Sequence, residues 1–335
     1  MRIAPLVRTL RAGDIRARLT AFRAGNATTR VAVIGAGLRT GVLAQLAADD
    51  LSTDELVDRR GWTDPARAEA FLKVLQSHGL LERVGDRWRS SNRARRLLGD
   101  DVASAAYDAF SGYHTDLYRD VDGLLRGADR EDIARDGQLI ARLSRFMDPF
   151  VTAELDRVVG EQAPRRVLDV GCGTASHLAH VVGGVPEATG VGVETDSDAA
   201  VLARTTVTAA GLDERVEIVR ADLGEFLAER PGERFDLVWL ANVVYYVPEP
   251  ERLALLRDLA ARLNPGGRLV VVSTGLTDET FSRHFDLLLR AQPGSLELPD
   301  MDRLAGQLRE AGLESGPVRR IAPGEPLMAV TGRLP

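Results

Sequence analysis

The chain has 335 residues, 44% of them hydrophobic and 27% charged, with a formal net charge of −6 and a single cysteine, Cys172. That length exceeds one compact core and suits two, while the lone cysteine excludes an intrachain disulfide and fits a reducing compartment, so a cytoplasmic protein is expected. No apolar run reaches the ~18 residues that a bilayer crossing needs, which excludes a single membrane-spanning helix.

Charge is uneven along the chain. Residues 1–100 carry an excess of seven positive charges and the remainder an excess of thirteen negative ones. In the first 30 residues seven arginines accompany one acid, Asp14, and Ile3, Leu6, Val7, Leu10, Ile15, Leu19 and Phe22 recur at roughly helical spacing. This predicts a basic amphipathic arm over 1–30 whose apolar stripe has no evident partner within one subunit, so a homodimer is expected, with binding of an acidic partner or peptide as the alternative. Residues 31–41, VAVIGAGLRTG, read as a strand feeding a glycine-rich turn. The spacing Gly35-x-Gly37-x-x-x-Gly41 is not followed by a second strand closed by an acid, so no nucleotide site is expected there.

Residues 31–100 predict a winged-helix domain. Ser52-Thr53-Asp54-Glu55 forms a capping box, Asp64-Pro65 opens a second helix, and Ala70, Phe71, Val74 and Leu75 give that helix one buried face before Gly79 stops it. Gly85-Asp86 then joins two short strands, 80–84 and 87–90, as a hairpin. The second helix mixes Arg67 and Lys73 with Asp64 and Glu69 instead of presenting a run of cations, so dimerisation is expected and duplex DNA is not. Residues 101–161 read as a helical linker and substrate lid, with Tyr113, His114 and Tyr118 on one helix and Met147 on the next.

From 162 to 335 the pattern changes. RVLDVGCGTASHLAHV is a short apolar strand, an acid, a glycine turn and a helix, and Gly171 and Gly173 let the backbone approach a ligand. GVGVETDSD ends a second strand at Glu194, a carboxylate placed to accept ribose hydroxyls. RVEIVRADLGEF ends a third strand at Asp222. FDLVWLANVVYYVPEP and LNPGGRLVVVST supply a fourth and a fifth. Each candidate ligand lies at the carboxyl end of a strand, where open α/β sheets bind ligands.

These ordered motifs resemble those of the class I S-adenosylmethionine-dependent methyltransferases, over about half the chain. The stretches GVLAQLA, STDELVDR and LKVLQSHGLLE are similar to the N-terminal dimerisation domain of the small-molecule O-methyltransferase family. The resemblance implies an α/β fold: a Rossmann-like seven-stranded sheet flanked by helices and ending in a hairpin (317–322 and 327–332), with an N-terminal, mostly helical winged-helix domain. It also implies S-adenosylmethionine as cofactor. Asp169, Gly171 and Gly173 would hold its methionine end, Glu194 the ribose, and Asp222 with Leu223 the adenine. Thr195 would join this set, and Asn242 would lie near the sulfonium. Ala175 stands where the family's turn commonly ends in glycine.

A sulfonium is already an activated electrophile, so the protein's tasks are alignment and exclusion of water. In the O-methyltransferases that the chain resembles, a histidine just after the fourth strand acts as base. Here Tyr245-Tyr246 stands there instead, and tyrosine is a poor base because its pKa is near 10. Its ring can hold a cationic amine and its hydroxyl can position an acceptor. Tyr245, Tyr246 and His114 are therefore the catalytic candidates, and Tyr113, Tyr118, Met147 and His284 the substrate-contacting ones. His114 and His284 could substitute for the missing base. Cys172, His177 and His180 read as packing or surface residues, and no motif with metal-ligand spacing is present. The expected activity is methyl transfer to a specialised metabolite or a modified peptide. Amine nitrogen is the preferred acceptor, with oxygen and carbon as alternatives; a winged-helix regulator that senses S-adenosylmethionine is the reading of a different class. Neither a membrane nor nucleic acid is an expected partner.

Overall fold

The structure is a computed structural model that describes residues 14–130 and 139–335, and these form two compact units: 14–126 with 139–145, and 127–130 with 146–335. Ile3, Leu6, Val7 and Leu10 of the expected arm lie outside the described residues. No single described helix is long and apolar enough to cross a membrane.

The first unit opens with helix α1 (Ile15–Arg39), whose N-terminus is capped by the Asp14 carboxylate. It runs straight through VAVIGAGLR, so the strand expected at 31–35 is helical. The reason is packing. A Cβ at Gly35 would collide with the Ser111 side chain, and one at Gly37 would meet Leu43 and Leu75 at 3.1 Å. These glycines let helices approach closely; they do not shape a ligand turn. Gly41, at φ +68°, ends the run and starts α2 (Val42–Ala48).

β1 (Leu51–Ser52) leads into α3 (Thr53–Arg60), where the capping box forms in both directions between Ser52 and Glu55. α4 (Pro65–Ser77) is capped by Asp64. Its buried face is Ala68, Leu72 and Leu75, whereas Ala70 is exposed and Val74 is 41% exposed. The helix has apolar residues on more than one side, and the stripe at i, i+4, i+7 that carries both leucines removes more apolar area from water. β2 (Leu81–Val84) and β3 (Arg87–Ser90) form the hairpin across Gly85 at φ +64°, and β1 adds to β3. Arg67 pairs with Asp64 and Lys73 with Glu69, so the cations of α4 are already neutralised on their own helix.

α5 (Asn92–Leu98), α6 (Asp101–Ser111), α7 (Tyr113–Arg119) and α8 (Val121–Leu125) complete this unit. The expected division at residue 100 is therefore displaced. Ala105 and Ala109 of α6 are fully buried, and small side chains there let α1 pack close, which draws the first part of the linker into the first unit.

The second unit begins with α9 (Asp148–Glu161), which buries Val151, Leu155 and Val158. It continues through β4 (Arg166–Val170), α10 (Ser176–Gly184), β5 (Thr189–Glu194), α11 (Ser197–Ala209), β6 (Val216–Arg220), α12 (Leu223–Glu229) and β7 (Phe235–Ala241). After α13 (Glu249–Ala260) come β8 (Leu263–Thr274), α14 (Thr280–Arg290), α15 (Met301–Glu310), β9 (Glu314–Ser315), β10 (Arg319–Arg320) and β11 (Leu327–Arg333). The sheet order is β10-β11-β8-β7-β4-β5-β6, parallel from β8 to β6 and antiparallel at β11 and β10. The seven strands expected from the resemblance are present. The two-residue β9 pairs with β11 as an eighth, and the first strand of the terminal hairpin shrinks to two residues.

Both faces of the sheet are covered, so its strands are near-continuous apolar runs. Leu168, Val170, Val238 and Leu240 point into one core; Val167, Leu237, Trp239 and Val272 point into the other. Strand alternation puts Asp169 on the second face, the one acid in a buried β4. The chain leaves β4 towards β5 and β6 and then returns across it to β7, which makes the ends of β4 and β7 the switch point where such sheets open a crevice.

Candidate active site

At the end of β4 the chain turns through Gly171 (φ +64°), Cys172 and Gly173 (φ +53°). The Gly171 and Cys172 amides both donate to the Val193 carbonyl, at 2.9 and 3.1 Å, so the turn is folded onto the end of β5. A Cβ on Gly171 would meet Val243 Cγ2 at 2.6 Å, whereas the space beside Gly173 is open. Ala175 adopts φ +56° as it enters α10, which explains why glycine is usual there and shows that alanine tolerates the conformation with some strain.

Asp169 is buried and its Oδ2 has no hydrogen-bond partner. Burial, with a further contribution from the Glu194 charge, raises its pKa to about 8. Glu194, at the end of β5, accepts from the Gly173 amide at 2.9 Å with Oε2 and from the Asp196 amide at 3.0 Å with Oε1. The two acids thus flank one glycine turn. An orphaned buried carboxyl, an open glycine and a second carboxylate suit a cofactor that presents a cationic ammonium and a pair of hydroxyls.

The remaining strand-end residues divide. Asp222 is exposed and caps α12, accepting from the Gly224 amide at 2.7 Å, with half-buried Leu223 next to it. Thr195 is exposed and its hydroxyl lies 3.5 Å from Glu194 Oε1. Asn242 sits at φ +58° at the end of β7, and its amide donates to the Val272 carbonyl at 2.8 Å. Asparagine is among the few residues that enter this region readily.

The tyrosines follow on a 3-10 turn, Val244–Tyr246. Their rings meet edge to face at 4.6 Å, and the Tyr245 ring meets Phe285 of α14 in the same way at 5.4 Å. Phe281 stacks on Phe285 at 6.1 Å, and His284 lies 6.5 Å from Phe281. Tyr245 is buried, but Tyr246 is 38% exposed. Burial raises the Tyr246 pKa, a hydrogen bond with Tyr245 opposes this, and the charge of Glu194 raises it further. Tyr246 therefore stands within electrostatic reach of Glu194. Burial lowers the pKa of His284.

Phe281, Phe285 and Val243 did not stand out in the sequence, although the i, i+4 spacing of the two phenylalanines on α14 was a usable signal. Tyr113, His114 and Tyr118 belong to the first unit. There His114 is buried, stacked on Phe110 at 4.5 Å and edge-on to Tyr113 at 5.1 Å, while Tyr118 is exposed. Met147 packs against the second unit's core at the start of α9. Among the described residues, no three histidines, cysteines or acids gather as a metal site.

A family model described as a methyltransferase domain matches residues 167–267. The chain is 26% identical to the N,N-dimethyltransferase OxyT of Streptomyces rimosus over 96% of each chain. Its fold is that of the mitomycin 7-O-methyltransferase MmcR, with a TM-score of 0.74 at 18% identity over 98% of this chain and 100% of that one. PigF, solved with SAH, gives the same TM-score, 0.74, at 18% identity over 94% of this chain and 99% of that one. Strand-end acids around one glycine turn at the switch point, a methyltransferase domain in sequence and methyltransferase relatives converge: the chain is an S-adenosylmethionine-dependent methyltransferase, and S-adenosylmethionine is its cofactor.

Proposed function

We propose that this enzyme methylates an amine nitrogen of a small specialised metabolite, held against the face of Tyr246. The observation that carries the reading is that the turn after β7 presents the paired rings of Tyr245 and Tyr246, 4.6 Å apart, and no histidine. Tyr246 keeps its proton because its pKa is raised above an already basic value, and His284 binds one weakly because its pKa is lowered. An alcohol or phenol must give up a proton as it attacks, whereas a neutral amine attacks through its lone pair and releases a proton to water afterwards. The relative named an N,N-dimethyltransferase, similar over nearly the whole chain, supports the same acceptor atom.

When bound, S-adenosylmethionine supplies a methyl group on a sulfonium that needs no further activation. Asp169 would hold the methionyl ammonium and Glu194 the ribose hydroxyls. Gly171 and Gly173 would keep side chains out of the way, with Asp222, Leu223 and Thr195 around the nucleoside. Asn242 and Tyr246 would line the side from which the methyl leaves. The Tyr246 ring face would stabilise positive charge on the acceptor nitrogen, and burial of Tyr245 against Phe285 would fix the tilt of that ring. The working unit is a homodimer: α1 exposes Leu19 by 49% and Phe22 by 74%, an apolar stripe that a second copy would cover.

The test uses deuteromethyl-labelled cofactor with matched aromatic acceptors that carry an amine or a hydroxyl at the same position. Label on nitrogen is expected, and label on oxygen alone refutes the reading. With the productive amine, Tyr246→Phe should keep most of the activity, because the ring face survives. Tyr246→Leu should lower kcat/KM about 2–30-fold, the equivalent of a cation–π contact of ~0.5–2 kcal/mol.

A further inference from the structure

Arg252 lies on α13 just beyond the tyrosine turn and is only 2% exposed. Its Nε donates to the Val247 carbonyl at 3.0 Å and its Nη2 to the Glu297 carbonyl at 2.6 Å. Among the described residues it forms no ion pair. A buried guanidinium loses several kcal/mol of hydration, and an apolar residue of similar size would fill the same space more cheaply. The charge is useful only for what it holds.

What it holds are two backbone positions. Val247 is the residue directly after Tyr246 and closes the 3-10 turn, its amide bonded back to Val244. Glu297 lies in the segment that joins α14 to α15, and that segment is tied back onto α14. Asp286 accepts from the Leu298 amide at 3.0 Å, and Arg290 bridges the carboxylates of Asp286 and Glu297, at 2.8 Å each. Asp286 is the chain neighbour of Phe285, whose ring lies against Tyr245. The two sides of the aromatic wall, the tyrosine turn and α14, are thus joined through one guanidinium.

We propose that Arg252 is a positioning residue that sets the separation and tilt of the Tyr245–Tyr246 turn relative to Phe281 and Phe285, and so the shape of the wall offered to the acceptor. Its hydrogen bonds fix the backbone on both sides, while the carboxylates of Glu297 and Glu249 attract its charge. The inference rests on the reading above only in taking this wall as the acceptor's; the restraint itself can be tested without either ligand.

The full chain labelled with 3-fluorotyrosine has five fluorine resonances, one for each tyrosine, and those of Tyr245 and Tyr246 are assigned by single Phe substitutions. Arg252→Met should shift both by more than a linewidth and leave Tyr107, Tyr113 and Tyr118 in place. Arg252→Lys, which can keep one carbonyl, should return part of the shift. Leu212→Ala, a buried substitution elsewhere in the unit, serves as a control that lowers the melting temperature without moving the pair. Unmoved Tyr245 and Tyr246 resonances in Arg252→Met, or equal movement of all five, would overturn the proposal. If Arg252→Met does not fold, Arg252→Lys decides alone: no shift at either tyrosine overturns it. As neither cofactor nor acceptor is present, failure here leaves the nitrogen reading standing, and failure of that reading leaves this measurement intact.

Discussion

Between about pH 6 and 8 the affinity for S-adenosylhomocysteine should depend on a single buried group, Asp169. Without ligand its carboxyl has a pKa raised to about 8, first by burial and then by the charge of Glu194. At neutral pH it is therefore mostly protonated. S-adenosylhomocysteine keeps the methionyl ammonium, which favours the ionised form, so binding expels a proton and tightens as pH rises. If the bound carboxyl has a pKa below ~6, the ionised fraction before binding sets the affinity. That fraction is about one in a hundred at pH 6 and one half at pH 8, so the dissociation constant should fall roughly fifty-fold, ~2.3 kcal/mol. The sign for stability is the opposite. A raised carboxyl pKa contributes stability that is complete below the unfolded value of 3.8 and is lost as pH rises through about 8. The ligand should accordingly raise the melting temperature more at pH 8 than at pH 6. Calorimetric titration across this range, in buffers of different ionisation enthalpy, measures both affinity and proton release. Asp169→Asn should weaken binding at pH 8 and flatten the profile. A flat wild-type profile, or the same slope in Asp169→Asn, refutes the reasoning.

Two further outcomes follow from the same structure. Glu194→Ala should weaken S-adenosylhomocysteine binding by about 1.5–3 kcal/mol, the range for hydrogen bonds to a charged group, while Glu194→Gln, which keeps one acceptor oxygen for the Gly173 amide, should lose less; unchanged calorimetric affinity in the alanine variant removes Glu194 from the site. By light scattering the full chain should be a dimer, and a version lacking residues 1–29, and with them Leu19 and Phe22, should shift towards monomer; a monomeric full chain refutes the dimer.

The second unit was legible because its strands are buried on both faces. RVLDV, TGVGVE, FDLVWLA and LVVVST are apolar runs rich in valine and leucine that stop at a glycine, an acid or an asparagine, and no helix period competes with them. In the first unit local pattern and tertiary packing disagreed. Val31, Val33 and Ile34 favour a strand locally, but as part of α1 they carry Gly35 and Gly37 to a close helix–helix approach that a strand could not make. The buried face of α4 was displaced for a related reason: apolar residues on several sides leave the choice to whichever stripe fits Leu43, Leu46 and Trp88 best. Strands of two residues, such as β9 and β10, carry no periodic signal at all.

At the site the sequence exposes side chains that end strands and hides restraints that act through the backbone. Asp169, Glu194 and Asn242 stand beside turns whose geometry demands particular residues, so position alone draws attention to them. Arg252 is one of 43 cations, and its partners are two carbonyls that any residues would present. Phe285 becomes a neighbour of Tyr245 only after α14 has folded back from beyond β8, a distance that no local window spans. Adjacency in sequence also treats Tyr245 and Tyr246 alike, whereas folding gives them different surroundings. Tyr245 is buried against Tyr246 and Phe285, where it fixes its neighbour; Tyr246 is partly exposed and feels the charge of Glu194. Substitutions at Tyr245 should therefore act through Tyr246, and Phe should cost less than Leu, since it keeps the ring packing and loses only the hydrogen bond to Tyr246.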